Sequence, residues 1–168
     1  MRPRRARAAD APAIHELIAP YVEQGVLLPR SEEDIRARIR NFLLLTERGK
    51  ILGCVALDPY GKDLAEVRSL AVAPDAQGRW LGARLLRCAL AEARRRKIAR
   101  VFAVTHAPAL FRREGFTAST RHAVPEKIER DCRGCPKQHI CQLVALVAVV
   151  IPERAVLPVL TAASSVSA

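Results

Sequence analysis

Between Leu70 and Leu86 the chain reads LAVAPDAQGRWLGARLL. An apolar run meets a proline and a polar turn with two glycines, then turns at once into an amphipathic helix. Gln77, Gly78, Arg79 and Gly82 fall just before and within the first turn of that helix. First-turn N–H groups have no intrahelical partners and lie at the positive end of the macrodipole. A diphosphate placed there meets main-chain donors, with arginines nearby to balance its charge. A plain strand-to-helix corner also uses a glycine, and so short a motif leaves the two readings level.

A second constellation is C-x2-C-x5-C at Cys132, Cys135 and Cys141, with His139 inside it and His122 upstream. Three thiolates and an imidazole can bind zinc tetrahedrally and pin an irregular loop. The pattern is one ligand short of a paired CxxC motif unless a histidine completes it. Reduced cysteines also pack as small apolar side chains, and the expectation adopted is that no metal is required. Cys54 and Cys88 fall on apolar faces and read as core.

The elements that must position these groups follow from periodicity. Asp10 is placed to cap a helix with Pro12 in its first turn. Ile14, Leu17, Ile18, Tyr21 and Val22 recur at helical spacing up to Gly25. Ser31 and Asp34 resemble a capping box opening SEEDIRARIRN. FLLLTE and KILGCVALD, separated by Arg48-Gly49, read as an antiparallel hairpin. LAEVRSLAVA is a third strand, and Leu81 to Lys97 the clearest helix, with Leu81, Leu85, Leu86, Ala89 and Ala93 on one side. ARVFAVT reads as a buried strand, APALFRRE as a short helix stopped by Gly115, Thr117 to Ile140 as irregular, and CQLVALVAVVI as a last buried strand. A further short strand is expected at Arg4 to Ala8. The order predicts one mixed α/β (α+β) domain over residues 1–152, with 153–168 a loosely ordered tail.

With 168 residues, 50% hydrophobic and 27% charged, the chain can bury a proper core. Its net charge of +11 favours anionic partners, although basic faces are commonly just solvated. Aromatics are 4% of the sequence, leaving few stacking platforms for nucleic acid, and no nucleic-acid motif appears. MRPRRARAADAP lacks the apolar centre of a signal peptide, and no run reaches the roughly 20 apolar residues of a membrane span. A cytoplasmic protein with free thiols, no nucleic-acid partner and no membrane partner is therefore expected.

The strand xxLAVxP, the loop Q/R-x-x-G-x-G/A, the helix after it and FRREGF together resemble the acetyl-CoA site of Gcn5-related N-acetyltransferases (GNATs). The resemblance covers about residues 4 to 150. It implies a mostly antiparallel central sheet flanked by helices and splayed to admit acetyl-CoA as cosubstrate. It places the pantetheine arm along Leu70, Ala71 and Val72, and the diphosphate against Gln77, Gly78, Arg79, Trp80, Leu81, Gly82 and Ala83. Trp80 stands where the family loop has its middle glycine. Phe111 stands where many members have a tyrosine acid, so catalysis would lean on positioning and polarisation of the thioester carbonyl.

GVLLPRS, GCVALDPY, LAEVRSLAV and above all VPEKIERDCRGCPKQHICQLVAL are similar to the short bacterial N-acetylglutamate synthases. That resemblance implies acetylation of the α-amino group of L-glutamate, the entry step of arginine biosynthesis. Such an acceptor brings two carboxylates and an ammonium that must lose a proton. Arg30 offers a guanidinium for a carboxylate, and Lys127 and Lys137 flank the irregular segment, although loop charges are often merely solvated. Glu66, on the same strand side as Arg68 by alternation, is placed to take the ammonium proton directly or through water; an ion pair with arginine is its blander role. Thr105 ends the next strand, where a hydroxyl can protonate the leaving thiolate or anchor the substrate. Other acceptors (glutamine, another amino acid, a protein N-terminus) and a non-catalytic acyl-CoA sensor stand as alternatives, and a homodimer is admitted rather than required.

Overall fold

The computed structural model describes residues 2–120 and 143–152. In chain order the elements are β1 (Arg2–Arg5), α1 (Ala11–Glu23), α2 (Glu32–Ala37), β2 (Phe42–Glu47), β3 (Lys50–Tyr60), β4 (Leu64–Val72), α3 (Leu81–Arg95), β5 (Arg100–Thr105), α4 (Pro108–Arg113), β6 (Thr117–Ser119) and β7 (Val144–Val149), with short 3-10 turns between some of them. Among the described residues the strands form one sheet in the order β1-β2-β3-β4-β5-β7-β6. Neighbours are antiparallel except β4 and β5, which run parallel with α3 as their crossover. This is the mixed α/β arrangement that the element order predicts, with the mostly antiparallel, helix-flanked sheet that the family resemblance implies.

The β2–β3 hairpin turns where the sequence places it. Arg48 and Gly49 both have positive φ, 49° and 81°, as a two-residue turn matched to strand twist requires. At the start of α2 the Ser31 hydroxyl accepts from the Asp34 N–H at 3.1 Å, the predicted cap. Asp10 departs from its predicted role. Its carboxylate takes the Arg4 guanidinium at 2.7 and 2.8 Å and the Arg7 N–H at 2.7 Å, and makes no cap hydrogen bond to α1. An arginine on the adjoining strand is the stronger donor. The first strand lies at Arg2–Arg5 rather than Arg4–Ala8, because its ladder with β2 runs from Arg2↔Thr46 to Arg5↔Leu43. The third difference is β6: Thr117–Ser119, read as irregular, pairs with β7 from Thr117↔Val147 to Ser119↔Ala145.

The sheet has a core on each face. On one side, Leu85, Leu86 and Ala89 of α3 and Phe111 of α4 pack on Val55, Leu57, Val67, Val101 and Leu146. On the other, Ile14 and Ile18 of α1 and Ile35 of α2 cover Phe42, Leu44, Cys54 and Ala56. Gly53 marks a tight approach among the described residues. A Cβ there would lie 2.8 Å from the Ala71 carbonyl oxygen and 2.9 Å from Leu85 Cδ1. Gly53→Ala is expected to lower unfolding stability by about 1–3 kcal/mol. A denaturant midpoint that falls at unchanged slope would show it.

Glu92 is a charged residue on the buried face of α3. Arg95 at 2.8 Å, Arg96 at 2.6 Å and Arg5 at 2.6 Å all reach its carboxylate. These partners, Arg95 first, hold its pKa at about 2, against 4.5 for an ordinary glutamate. Because the folded value lies below the unfolded one, the stabilisation is complete above about pH 4.5 and is lost as pH falls toward 2. Glu92→Gln is expected to flatten that part of the acid limb of a stability–pH curve. A limb with unchanged slope would count against this linkage.

Candidate functional site

The site begins where the sheet comes apart. β4 and β5 pair at three positions only, from Leu64↔Arg100 to Glu66↔Phe102. Beyond them β4 continues to Val72 and β5 to Thr105 without pairing to each other. A bulge in β4 helps turn it away: one more residue lies between Arg68 and Ala71 than between their partners Ala56 and Cys54. Ser69 carries the bend, with φ 49°, and its carbonyl accepts from the Cys54 thiol at 3.3 Å. Burial pushes the Cys54 pKa up to about 12, so that thiol stays a neutral donor. The result is a wedge between two parallel strands, with Glu66 at its last paired rung.

Past the top of β4 lies a cleft of about 400 Å³, lined by Val72, Gln77, Gly78, Trp80, Leu81, Gly82 and Ala83. These are seven of the residues predicted from sequence. Leu110 and Arg113 of α4 also line it, and the sequence reading did not include them; their place follows from the α3–α4 packing, which no local motif encodes. The cleft is lined by the first turn of α3, whose N–H groups lack intrahelical partners and are donors of the kind that can hold phosphate oxygens. A Cβ on Gly82 would come no nearer than 3.5 Å to Leu110 Cδ2, so glycine keeps this wall low without being forced by crowding.

The other predicted loop residues sit differently. The Arg79 side chain turns to Glu47 on β2 at 3.0 Å and holds that carboxyl below the usual glutamate range, so only its backbone belongs to the loop. Leu70 is half-buried against the α3-side core and Ala71 is buried in the α1-side core, which leaves their main chain as the part available to the wedge. Trp80 is 68% exposed, so its side chain is not packed into the protein interior at the helix N-terminus.

Glu66 is 2% exposed. It accepts from the Tyr60 hydroxyl at 2.9 Å, and Arg68 Nη1 lies 3.7 Å away. The predicted carboxylate–arginine neighbourhood is therefore present at the floor of the wedge. Thr105 Oγ1 accepts from the Ala107 N–H at 2.9 Å, which fixes its hydroxyl at the open end of β5. Phe111 packs edge-on against Phe116 at 5.2 Å in the core, so its position serves packing rather than acid chemistry.

Arg30 is placed otherwise than a solvent-facing grip. Its side chain is 4% exposed and ion-paired with Asp58, which is fully buried. Its guanidinium lies 5.4 Å from the Phe42 ring centroid, with Asp34 3.6 Å from Nη1. Nη1 has no hydrogen-bond partner among the described residues. Lys127, Lys137 and the cysteine cluster of Cys132, Cys135 and Cys141 lie outside the described residues. Among the described residues there is no group of three metal-ligating side chains, and no helix is long and apolar enough to cross a membrane.

Tyr21 is the site residue that sequence reading missed. Its hydroxyl donates to the Val72 carbonyl and accepts from Gln77 Nε2 at 2.8 Å. Its own carbonyl takes the N–H groups of Val26 and Leu27 at 2.8 and 3.0 Å. One residue thus ties the end of β4, the glycine loop and the segment leading to Arg30. Periodicity marks it only as another apolar position of α1.

A splayed β4–β5 pair leading to a glycine loop at a helix N-terminus is the arrangement that the resemblance to acetyl-CoA-dependent acetyltransferases implies. Residues 38–118 match the family described as Acetyltransferase (GNAT) domain. An uncharacterized N-acetyltransferase of Chlorobaculum tepidum is 37% identical over 144 residues, 86% of this chain and 93% of that protein. The chain belongs to the GNAT family of acetyltransferases. An amino-acid acetyltransferase of Neisseria meningitidis is 38% identical over 132 residues, which is 77% of this chain but 30% of that longer protein. Among solved structures, the N-acetylglutamate synthase of Neisseria gonorrhoeae complexed with coenzyme A and N-acetyl-glutamate superposes with a TM-score of 0.81 at 34% identity. That match covers 89% of this chain and 35% of that chain. A Mycobacterium tuberculosis protein in complex with CoA gives 0.75 at 27% identity, covering 89% of this chain and 99% of that one.

Proposed function

We propose that this acetyltransferase moves the acetyl group of acetyl-CoA to the α-amino group of L-glutamate. The observation that carries the reading is the likeness to the Neisseria gonorrhoeae synthase, which was solved with coenzyme A and N-acetyl-glutamate. In this reading the first turn of α3 holds the diphosphate and the unpaired edge of β4 runs beside the pantetheine arm. The wedge then brings the thioester over Glu66. Glu66, directly or through water, takes a proton from the substrate ammonium. The freed amine lone pair attacks the thioester carbonyl carbon, a C–N bond forms, the C–S bond breaks, and the sulfur leaves as thiolate, taking up the second proton that the new amide nitrogen gives off. Thr105, whose oxygen accepts from Ala107, keeps its O–H to donate to that thiolate. Arg30 Nη1, which makes no hydrogen bond among the described residues although the Asp34 carboxylate lies 3.6 Å away, is the donor assigned to a substrate carboxylate, with Lys127 and Lys137 as further cations.

One observation favours a neutral acceptor such as glutamine: the Arg30 charge is already met by Asp58. The ratio of kcat/KM for glutamate to that for glutamine, from thiol release at saturating acetyl-CoA, separates the two. A ratio above about ten supports glutamate, since tenfold corresponds to about 1.4 kcal/mol of transition-state preference; a ratio below one sinks it. Tyr21→Phe keeps the ring and the carbonyl but removes both hydroxyl contacts. It is expected to raise the KM for acetyl-CoA about three- to tenfold, the worth of one hydrogen bond or so, with kcat nearly unchanged. Equal KM values would mean that the hydroxyl does not hold the loop.

A further inference from the structure

Trp80 is the only tryptophan in the chain, and its place is unusual in two ways. The residue takes φ 58° and ψ 19° at the N-cap of α3, a left-handed conformation unfavourable for a side chain this large. It is also 68% exposed, so burial in the core does not offset that conformation. A lone exposed apolar residue is ordinary on a protein surface. This one lines the 400 Å³ cleft beside Gly78 and Gly82, and shares it with Arg113, an exposed cation on the last turn of α4. A wide π-face and a guanidinium at one cleft suit a ligand that is flat at one point and anionic at another.

We infer that the Trp80 indole is a stacking platform for the purine of the coenzyme A ester, with Arg113 answering the phosphate on its ribose. The inference rests on the proposed use of this cleft for acetyl-CoA and adds a nucleobase contact made by a side chain the phosphate cradle itself does not use. The loop then grips the cofactor twice: main-chain donors take the diphosphate, and the indole discriminates a nucleotide-bearing thioester from a bare pantetheine one. Stacking of a base on an aromatic side chain is worth about fivefold to a hundredfold in affinity.

Because no other tryptophan is present, indole fluorescence reports on this contact in the unaltered protein. Coenzyme A and adenosine 3′,5′-bisphosphate should each shift or quench it, and pantetheine should not, with calorimetry measuring binding in parallel. Trp80→Gly suits the left-handed backbone and should weaken coenzyme A about fivefold to a hundredfold, moving pantetheine by less than twofold; Trp80→Tyr should recover most of the loss. Calorimetric binding of coenzyme A with silent fluorescence and an unaffected glycine variant would overturn the stacking proposal and leave the acetyltransferase reading standing. Fluorescence that follows protein concentration and ignores coenzyme A would also overturn it, placing the indole between copies of the chain. No calorimetric binding of coenzyme A at all would overturn both.

Discussion

Arg30→Ala is expected to lower the stability of the protein by about 3–5 kcal/mol, the usual consequence of removing one partner of a buried ion pair. Arg30 and Asp58 are both shielded from water, and Asn41 Nδ2 at 3.0 Å also holds the Asp58 carboxylate. Taking away the cation leaves a negative charge that solvent cannot reach. A domain of this kind has about 5–15 kcal/mol of stability in all, so the variant loses a large share of it, read directly in a denaturation midpoint. Loss of acetylation in that variant alone would therefore not assign Arg30 to the substrate. The double variant Arg30→Met with Asp58→Leu separates the two roles, because an apolar pair of similar volume often replaces a buried ion pair at little cost. A stable double variant that no longer uses glutamate marks Arg30 as a carboxylate ligand. A double variant as unstable as Arg30→Ala would contradict the ion-pair explanation.

The second large effect belongs to Glu66. Glu66→Gln should reduce kcat/KM by about 10²–10⁴, the range for loss of a positioned general base. The carbonyl of glutamine can still accept from the Tyr60 hydroxyl, now 2.9 Å from the carboxylate, so the melting temperature should move by only a few degrees. The loss should fall on kcat, with the KM for acetyl-CoA little changed, since Glu66 lies at the floor of the wedge and not in the glycine loop. A rate within tenfold of the parent would place the base elsewhere.

Much of this candidate cleft was legible in the sequence because most of its lining residues are neighbours along the chain. The loop from Gln77 to Ala83 announces itself by glycines at a strand–helix junction, and six of its seven members line the cleft. Ser31 and the Arg48-Gly49 turn were equally legible, because caps and tight turns are set by neighbours along the chain. What was not legible depends on partners distant in sequence. Arg30 and Asp58 meet across 28 positions, so a loop arginine that looks solvent-facing becomes half of a buried pair. Tyr21 meets Val72 and Gln77 across 51 and 56 positions, and its hydroxyl is invisible to a reading that counts the ring as apolar. Asp10 was predicted from its place before a helix, yet the arginine delivered by β1 outcompetes the cap. β6 is only three residues long, and it exists because β7 offers an edge. Phe111 read as a missing acid is better understood as a core residue packed on Phe116.

The most direct test supplies acetyl-CoA and an equimolar mixture of the twenty amino acids and identifies the acetylated product by mass. In such a mixture each product forms in proportion to kcat/KM for its precursor. N-acetylglutamate as the main product is the predicted result. A different N-acetylamino acid in excess, or no acetylated amino acid at all while coenzyme A still binds, would contradict the assignment of glutamate.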